Sequence, residues 1–247
     1  MTPSGGSEGG GRSAGRGAAQ NAAQSAARVA VLDYGSGNIR SVSRAAEKAG
    51  AAVAVVTGDD DFDERLYDGV VLPGQGHFGQ CVRQLKRSGL DVTVRDWIEA
   101  DRPFLGICVG MQILALGSDE DSEHGLGIVP RRCIAIGGEG LSVPHMGWDQ
   151  QTWPSTSRVF AGIDEATRFY YCHSYAIELG SPGVVTTGEY GRAYTAAIEI
   201  GNVWAVQFHP EKSSSDGLAV WRNFLKSCKR RRGQQEVVDL TARRKRG

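Results

Sequence analysis

Gly106-Ile107-Cys108-Val109-Gly110 sets a cysteine between two glycines, directly after the apolar pair Phe104-Leu105. No other stretch constrains the chain as much. It describes a strand that breaks sharply into a helix, with glycines where a side chain would collide with the turn or with an approaching substrate. The turn lifts the thiol out of the sheet and sets it at a helix N-terminus. There, unpaired N–H groups and the helix dipole favour thiolate over thiol. About a hundred residues later, His209-Pro210-Glu211 follows a second apolar strand. A histidine with a carboxylate two residues on supplies a base and the group that orients it. Together the two stretches read as a nucleophile elbow built with sulfur.

Apolar runs at 29–33, 53–56, 69–72 and 103–107 alternate with helical patterns at 39–49, 79–86, 92–100 and 109–116. Continuously apolar strands separated by helices predict a parallel sheet covered on both faces. From Cys133 onward the pattern changes to short strands at 133–136, 168–172, 184–189, 194–200 and 203–208, partly antiparallel. A last helix over 217–227 packs back on the sheet. The expected class is α/β: a mostly parallel central sheet flanked by helices, with a smaller antiparallel strand set.

Residues 1–27 are almost entirely Gly, Ala, Ser, Gln and Arg. Ordering each residue costs roughly 1–2 kcal/mol, and this segment has nothing to bury in return, so it reads as a disordered extension. One domain is expected over 28–228. The stretch 229–247 holds eight Lys/Arg and two acids in a chain of formal charge +0, so an acidic body carries a basic, mobile tail. Such a body is not a nucleic-acid-binding domain, although the tail alone can touch polyanions. No run of about 18 apolar residues exists to span a membrane. Five scattered cysteines without a C-x-x-C pair point to a reducing cytoplasm.

The first backbone N–H after the nucleophile, that of Val109, faces the space above the sulfur and serves as one oxyanion donor. Leu72-Pro73-Gly74-Gln75-Gly76-His77-Phe78 follows the third strand, where open α/β sheets carry their ligand loops. The loop Gly35-Ser36-Gly37-Asn38 lacks the third glycine of a dinucleotide fingerprint and the Gly-Lys-Ser/Thr of a P-loop. The five histidines show no metal-ligand spacing. Cys81, Cys133, Cys172 and Cys228 lack turn glycines and a basic partner, and read as packing residues.

Gly106-Ile-Cys-Val-Gly-Met-Gln112 together with Gln207-Phe-His-Pro-Glu211 resembles the class I, or triad, glutamine amidotransferases. Asp33-Tyr-Gly-Ser-Gly-Asn38, Pro144-His-Met-Gly-Trp148, His173-Ser-Tyr175 and His209-Pro-Glu-Lys-Ser213 narrow the resemblance to the glutaminase subunits of imidazole glycerol phosphate synthase, in histidine biosynthesis. It covers residues from about Val29 to Ser227. The resemblance implies Cys108 as nucleophile, His209 as general base then acid, and Glu211 as orienting carboxylate. It makes Gly74, Gln75 and Gly76 the second oxyanion strand, and assigns Gln112, Ser174 and Tyr175 to glutamine. It turns Asn38, Met146, Trp148 and Lys212 towards a partner, a (β/α)₈-barrel cyclase that takes up the ammonia in a heterodimer. No cofactor, metal, nucleic acid or membrane is implied. Gln75 and His77 depart from the family, which usually carries valine and often alanine there. The readings that compete are another ammonia-channelling glutaminase, a free-standing cysteine hydrolase and a non-catalytic subunit.

Overall fold

The computed structural model describes residues 26–153 and 156–244, with the side chains of the last helix described as far as Arg231. The expected N-terminal extension lies outside the described residues except at its end. There the first strand, β1 (Ala27–Leu32), starts two residues earlier than its apolar run.

The central sheet has seven strands in the order β11-β12-β13-β4-β3-β1-β2. β1, β2 (Ala51–Val56), β3 (Gly69–Leu72), β4 (Phe104–Ile107) and β13 (Val203–Val206) run parallel. β12 (Arg192–Ile200) and β11 (Val184–Tyr190) add an antiparallel edge. β3, β4 and β13 are buried at every position, which is why their sequences are apolar without alternation. Between them come α1 (Ile39–Ala49), α2 (Phe78–Arg87) and α3 (Leu90–Glu99). Asn38 caps α1, its side-chain oxygen accepting from the Ser41 N–H at 3.3 Å, and Gly50 ends it in the left-handed region.

The apolar run after the elbow behaves differently from its helical prediction. The helix α4 (Val109–Gln112) lasts one turn, and β5 (Ala115–Ser118) follows. The carbonyls of Ile113 and Leu114 accept from the N–H groups of Leu126 and Val129, so a second sheet captures backbone that a longer helix would have used. Eight nearly all-apolar residues suit either a buried helix or a buried strand, and only the partner decides. That sheet has the order β10-β7-β5-β6, with β6 (Asp121–His124), β7 (Val129–Ala135) and β10 (Tyr175–Ile177). A separate ribbon pairs β8 (His145–Gln150) with β9 (Arg168–His173).

The last helix also departs from expectation. It does not end at Ser227 but runs as α5 (Ser214–Arg244), so the basic stretch from Lys229 continues helical backbone through Arg244 instead of starting a separate tail. Lys, Arg, Gln and Glu are good helix formers, and the helical backbone runs on through Gly233, the one stop signal in this stretch. Arg231 also donates to the carbonyls of Asp101 and Ala100 at 2.9 and 3.0 Å, tying this part of the helix to the body. The basic positions 245–247 lie outside the described residues. Among the described residues no helix is long and apolar enough to cross a membrane.

Candidate active site

Cys108 leaves β4 with φ 54° and ψ −112°, a left-handed conformation that costs a residue with a side chain on the order of 1–3 kcal/mol. Neighbouring backbone holds it there. A Cβ at Gly110 would lie 1.9 Å from the Leu72 carbonyl oxygen, so only glycine lets the elbow press against β3. A Cβ at Gly74 would lie 2.5 Å from the Gly110 nitrogen, which puts the 73–76 loop directly on the elbow. The Cys108 N–H donates to Val206 at 2.8 Å, tying the elbow to β13. The helix dipole invoked from the sequence shrinks to that of one turn.

β13 leads through Gln207 and Phe208 to His209, just before a 3₁₀ turn over Pro210–Lys212. His209 Nδ1 stands 2.8 Å from Glu211 Oε1, both side chains almost completely buried. Burial alone would depress the imidazole's pKa. The charge of Cys108, a hydrogen bond with Cys108 and the Glu211 carboxylate outweigh it and raise His209 to about 10. At neutral pH the proton therefore rests on His209. Glu211 Oε2 is buried without a hydrogen-bond partner. Ser213 Oγ donates to the His209 carbonyl at 2.7 Å and accepts from the Tyr170 N–H at 3.0 Å, and the His209 N–H donates to Tyr170 at 2.9 Å. The histidine loop is thus laced to β9.

A pocket of about 240 Å³ opens beside the sulfur. Cys108, Val109, Gln75, Gly76, Gln112, Ser174 and Tyr175, all singled out in the sequence, line it. Glu120, Pro144, Cys172 and His173 complete it, and sequence reading had given none of them a place there. Glu120 lies in the turn between β5 and β6, and its Oε2 accepts from the Phe78 N–H at 2.8 Å, at the start of α2. A lone carboxylate in a polar turn carries no sequence signal until the turn is folded against the elbow. Cys172 is corrected from a packing residue to a pocket residue: its carbonyl faces the Cys108 thiol at 3.9 Å.

Gln112 is less free than its assignment to glutamine implied. Its Nε2 donates to Tyr175 O at 2.6 Å and to Gln207 Oε1 at 3.1 Å. Gln207 in turn directs its Nε2 to Cys108 Sγ at 3.7 Å. His173 Nδ1 bonds the Tyr175 carbonyl at 3.0 Å, while Nε2 is buried without a partner. Burial lowers its pKa to about 3, so this ring is neutral in the pocket wall.

The second group of sequence-singled residues gathers on the β8–β9 ribbon. Met146 pairs with Cys172 and Trp148 with Tyr170, and Met146 and Trp148 are 61% and 48% exposed. Trp148 meets Tyr170 edge-on at 6.1 Å, and Lys212 Nζ lies 5.7 Å from the same Tyr170 ring. Asn38 is half-buried at the α1 cap and is not part of this ribbon. His77 stands 3.6 Å from Asp121.

Residues 30–228 match the family model described as glutamine amidotransferase class-I. An imidazole glycerol phosphate synthase subunit HisH of a Synechococcus species is 44% identical over 83% of this chain and 95% of its own length. The HisH subunit of Methanothermobacter thermautotrophicus is 45% identical over 80% of this chain and 97% of its own. Among solved structures, PurLQS from Thermotoga maritima superposes with a TM-score of 0.65 at 21% identity, covering 81% of this chain and 98% of that one. A glutamine amidotransferase superposes with a TM-score of 0.64 at 19% identity, covering 81% and 98%. With the elbow, the buried His–Glu pair and relatives matched over nearly their whole length, this chain belongs to the class I glutamine amidotransferases and, within them, to the imidazole glycerol phosphate synthase HisH subunits.

Proposed function

We propose that Cys108, His209 and Glu211 hydrolyse glutamine to glutamate and ammonia through a γ-glutamyl thioester, and that the ammonia passes to a cyclase subunit of histidine biosynthesis. The observation that carries this reading is the elbow: Cys108 held at positive φ, close enough to His209 for its charge to raise the imidazole's pKa, with His209 Nδ1 on a buried carboxylate.

Glutamine enters the pocket beside Cys108 with its side-chain amide over the sulfur. Its α-ammonium meets Glu120, the one carboxylate lining the pocket, and its α-carboxylate meets the Ser174–Tyr175 segment. Gln112 shapes this end by holding Tyr175. The sulfur attacks the amide carbon, and the oxyanion that forms takes hydrogen bonds from the Val109 N–H and from the strand Gly74, Gln75, Gly76. Each such donor contributes roughly 10²–10³ in rate. His209, already carrying a proton, gives it to the departing ammonia. The neutral ring then takes a proton from water as that water attacks the thioester and releases glutamate.

The partner in this reading is a (β/α)₈-barrel cyclase in a cytoplasmic heterodimer, docked over Met146, Trp148, Lys212 and Asn38. Two exposed apolar side chains beside a cation form a small patch suited to a protein interface. Nothing in the reading calls for a nucleic acid, a membrane, a cofactor or a metal.

The test is glutamate release from glutamine, for wild type and Cys108→Ala, alone and with a histidine-pathway cyclase and its nucleotide ligand. The expected result is weak basal activity, strong stimulation by the liganded cyclase, and loss of both in Cys108→Ala. Vigorous activity that the cyclase leaves unmoved would keep the triad and overturn the partner.

A further inference from the structure

Trp204 lies near the start of β13, whereas Cys108 follows the opposite end of the adjoining β4. Its side chain is packed under α5, edge-on to Phe224 at 6.0 Å, and the residue is 1% exposed. The indole Nε1–H is buried without a hydrogen-bond partner. A buried donor left unpaired is unfavourable, and native structures rarely keep one without a reason.

Trp204 borders a cavity of about 100 Å³, lined also by Arg158, Asn223, Lys226, Ser227 and Arg230. The polar groups in this lining are nearly all donors, and no carboxylate is among them. Arg158 is neutralised from outside the cavity: its guanidinium bonds Glu199 and the Gly201 carbonyl. The Asn223 amide nitrogen is committed to the carbonyls of Val159 and Ala161, and its oxygen accepts from Lys226 Nζ at 3.2 Å. That leaves the charges of Lys226 and Arg230 without a counter-ion, and among the described residues neither Arg230 nor the Ser227 hydroxyl has a hydrogen-bond partner. Lys229, beside Arg230 in the chain, adds to the local positive charge, whereas Arg231 is paired with Asp101.

We propose that this cavity binds a tetrahedral oxyanion: inorganic phosphate, or the terminal phosphate of a phosphomonoester whose remainder points to solvent. A small cavity lined by donors, with an excess of positive charge and no carboxylate in its lining, matches an acceptor-only ligand. The bound anion bridges β13 to α5 and so stabilises the docking of the last helix. The site is separate from the glutamine pocket and does not depend on the triad assignment.

Thermal unfolding of the full chain, with phosphate replacing chloride at constant ionic strength, tests this in wild type, Arg230→Gln, Lys226→Gln and the double variant. Both residues are exposed, so the variants fold. Phosphate also stabilises proteins by exclusion from their surface, an effect common to all four and removed by comparing them. The expected result is a saturable rise in Tm for wild type, since a ligand that binds only the native state stabilises it by mass action. Either single substitution should raise the half-saturating phosphate concentration about tenfold, as for loss of one charge-assisted contact, and the double variant should lose the saturable part. Trp204→Phe, which keeps the ring and removes the N–H, should weaken phosphate severalfold by isothermal titration calorimetry. Glycerol 2-phosphate separates the sources: equal competition assigns a phosphomonoester, and exclusion assigns inorganic phosphate. A phosphate response that never saturates, or that is identical in wild type and the double variant, overturns the proposal.

Discussion

The hydroxyl of Ser36 donates to the Gln75 carbonyl oxygen at 2.8 Å, and the Cys81 thiol approaches the same oxygen at 3.4 Å. Two side chains thus pin one carbonyl of the loop that packs on the elbow. One residue pair earlier, the Tyr34 hydroxyl donates to Pro73 O at 2.8 Å. Because a trans peptide points its N–H opposite its carbonyl, pinning Gln75 O fixes the direction of the Gly76 N–H. Ser36→Ala is expected to lower kcat about 2–10-fold with KM for glutamine unchanged, the signature of a bond felt only in the transition state. Steady-state kinetics in the liganded complex check it, and a change confined to KM would refute it.

Gln75 lies in the same loop, with its side chain exposed. Its amide can hydrogen-bond within a loop that valine would leave free to turn. Gln75→Val is expected to change the ratio of cyclase-stimulated to basal activity. Glutaminase assays with and without the partner measure that ratio, and an unchanged value would remove any role for this side chain.

Glu120 accepts from the Phe78 N–H while lining the glutamine pocket. Glu120→Gln keeps the shape and removes the charge that the proposed glutamine pose sets opposite the substrate ammonium. Losing a hydrogen bond to a charged group is worth about 1.5–3 kcal/mol, so KM should rise roughly 10–100-fold with a smaller effect on kcat. Equal losses in kcat and kcat/KM would place Glu120 in the chemical step instead.

Glu211 is one of the groups that hold the His209 pKa up against burial. In Glu211→Gln the alkaline limb of the kcat/KM profile should move to lower pH, and the rate should fall roughly 10²–10⁴-fold. A pH–rate profile of the free subunit gives both values. An unmoved alkaline limb would mean that the carboxylate only positions the ring.

Two of the three buried histidines, His209 and His173, act on stability in opposite ways. His209 has its folded pKa raised to about 10 from the ordinary 6.5, so its contribution is complete below about pH 6.5 and is lost as pH rises through 10. His173 has its folded pKa lowered to about 3, so the unfolded chain takes up a proton that the native one refuses. Stability therefore falls as pH drops from about 6.5 towards 3. Denaturant unfolding across pH 4–10 should show both limbs. His173→Gln should shrink the acid limb, to which the buried His145 also contributes, and leave the alkaline limb in place; an unchanged acid limb in that variant would discount the His173 ring.

Gly110→Ala tests the elbow. The added Cβ would lie 1.9 Å from Leu72 O, so β3 or the turn must move. Destabilisation of about 1–3 kcal/mol, or failure to fold, is expected, with glutaminase activity lost even in the folded fraction. Wild-type activity in a stable Gly110→Ala protein would show that the elbow does not need this close approach.

By itself the sequence determined the elbow, the histidine–carboxylate pair and the parallel core. Each of these is written in contiguous residues: glycines around Cys108, Glu211 two positions after His209, and strands apolar at every position because both their faces are covered. The tertiary structure alone decided what depends on a partner distant in the chain. Ile113 and Leu114 joined the backbone of a second sheet because Leu126 and Val129 offered their N–H groups. The basic end stayed helical while Arg231 found the carbonyls of Ala100 and Asp101. Glu120 came to line the pocket beside Cys108 only when its turn folded against α2, and Gln112, also in that lining, was tied to Tyr175 and Gln207. Local geometry follows from local sterics and hydrogen bonding, which neighbouring residues specify. Contacts between remote segments follow from which buried donors and acceptors remain to be satisfied once the layers pack.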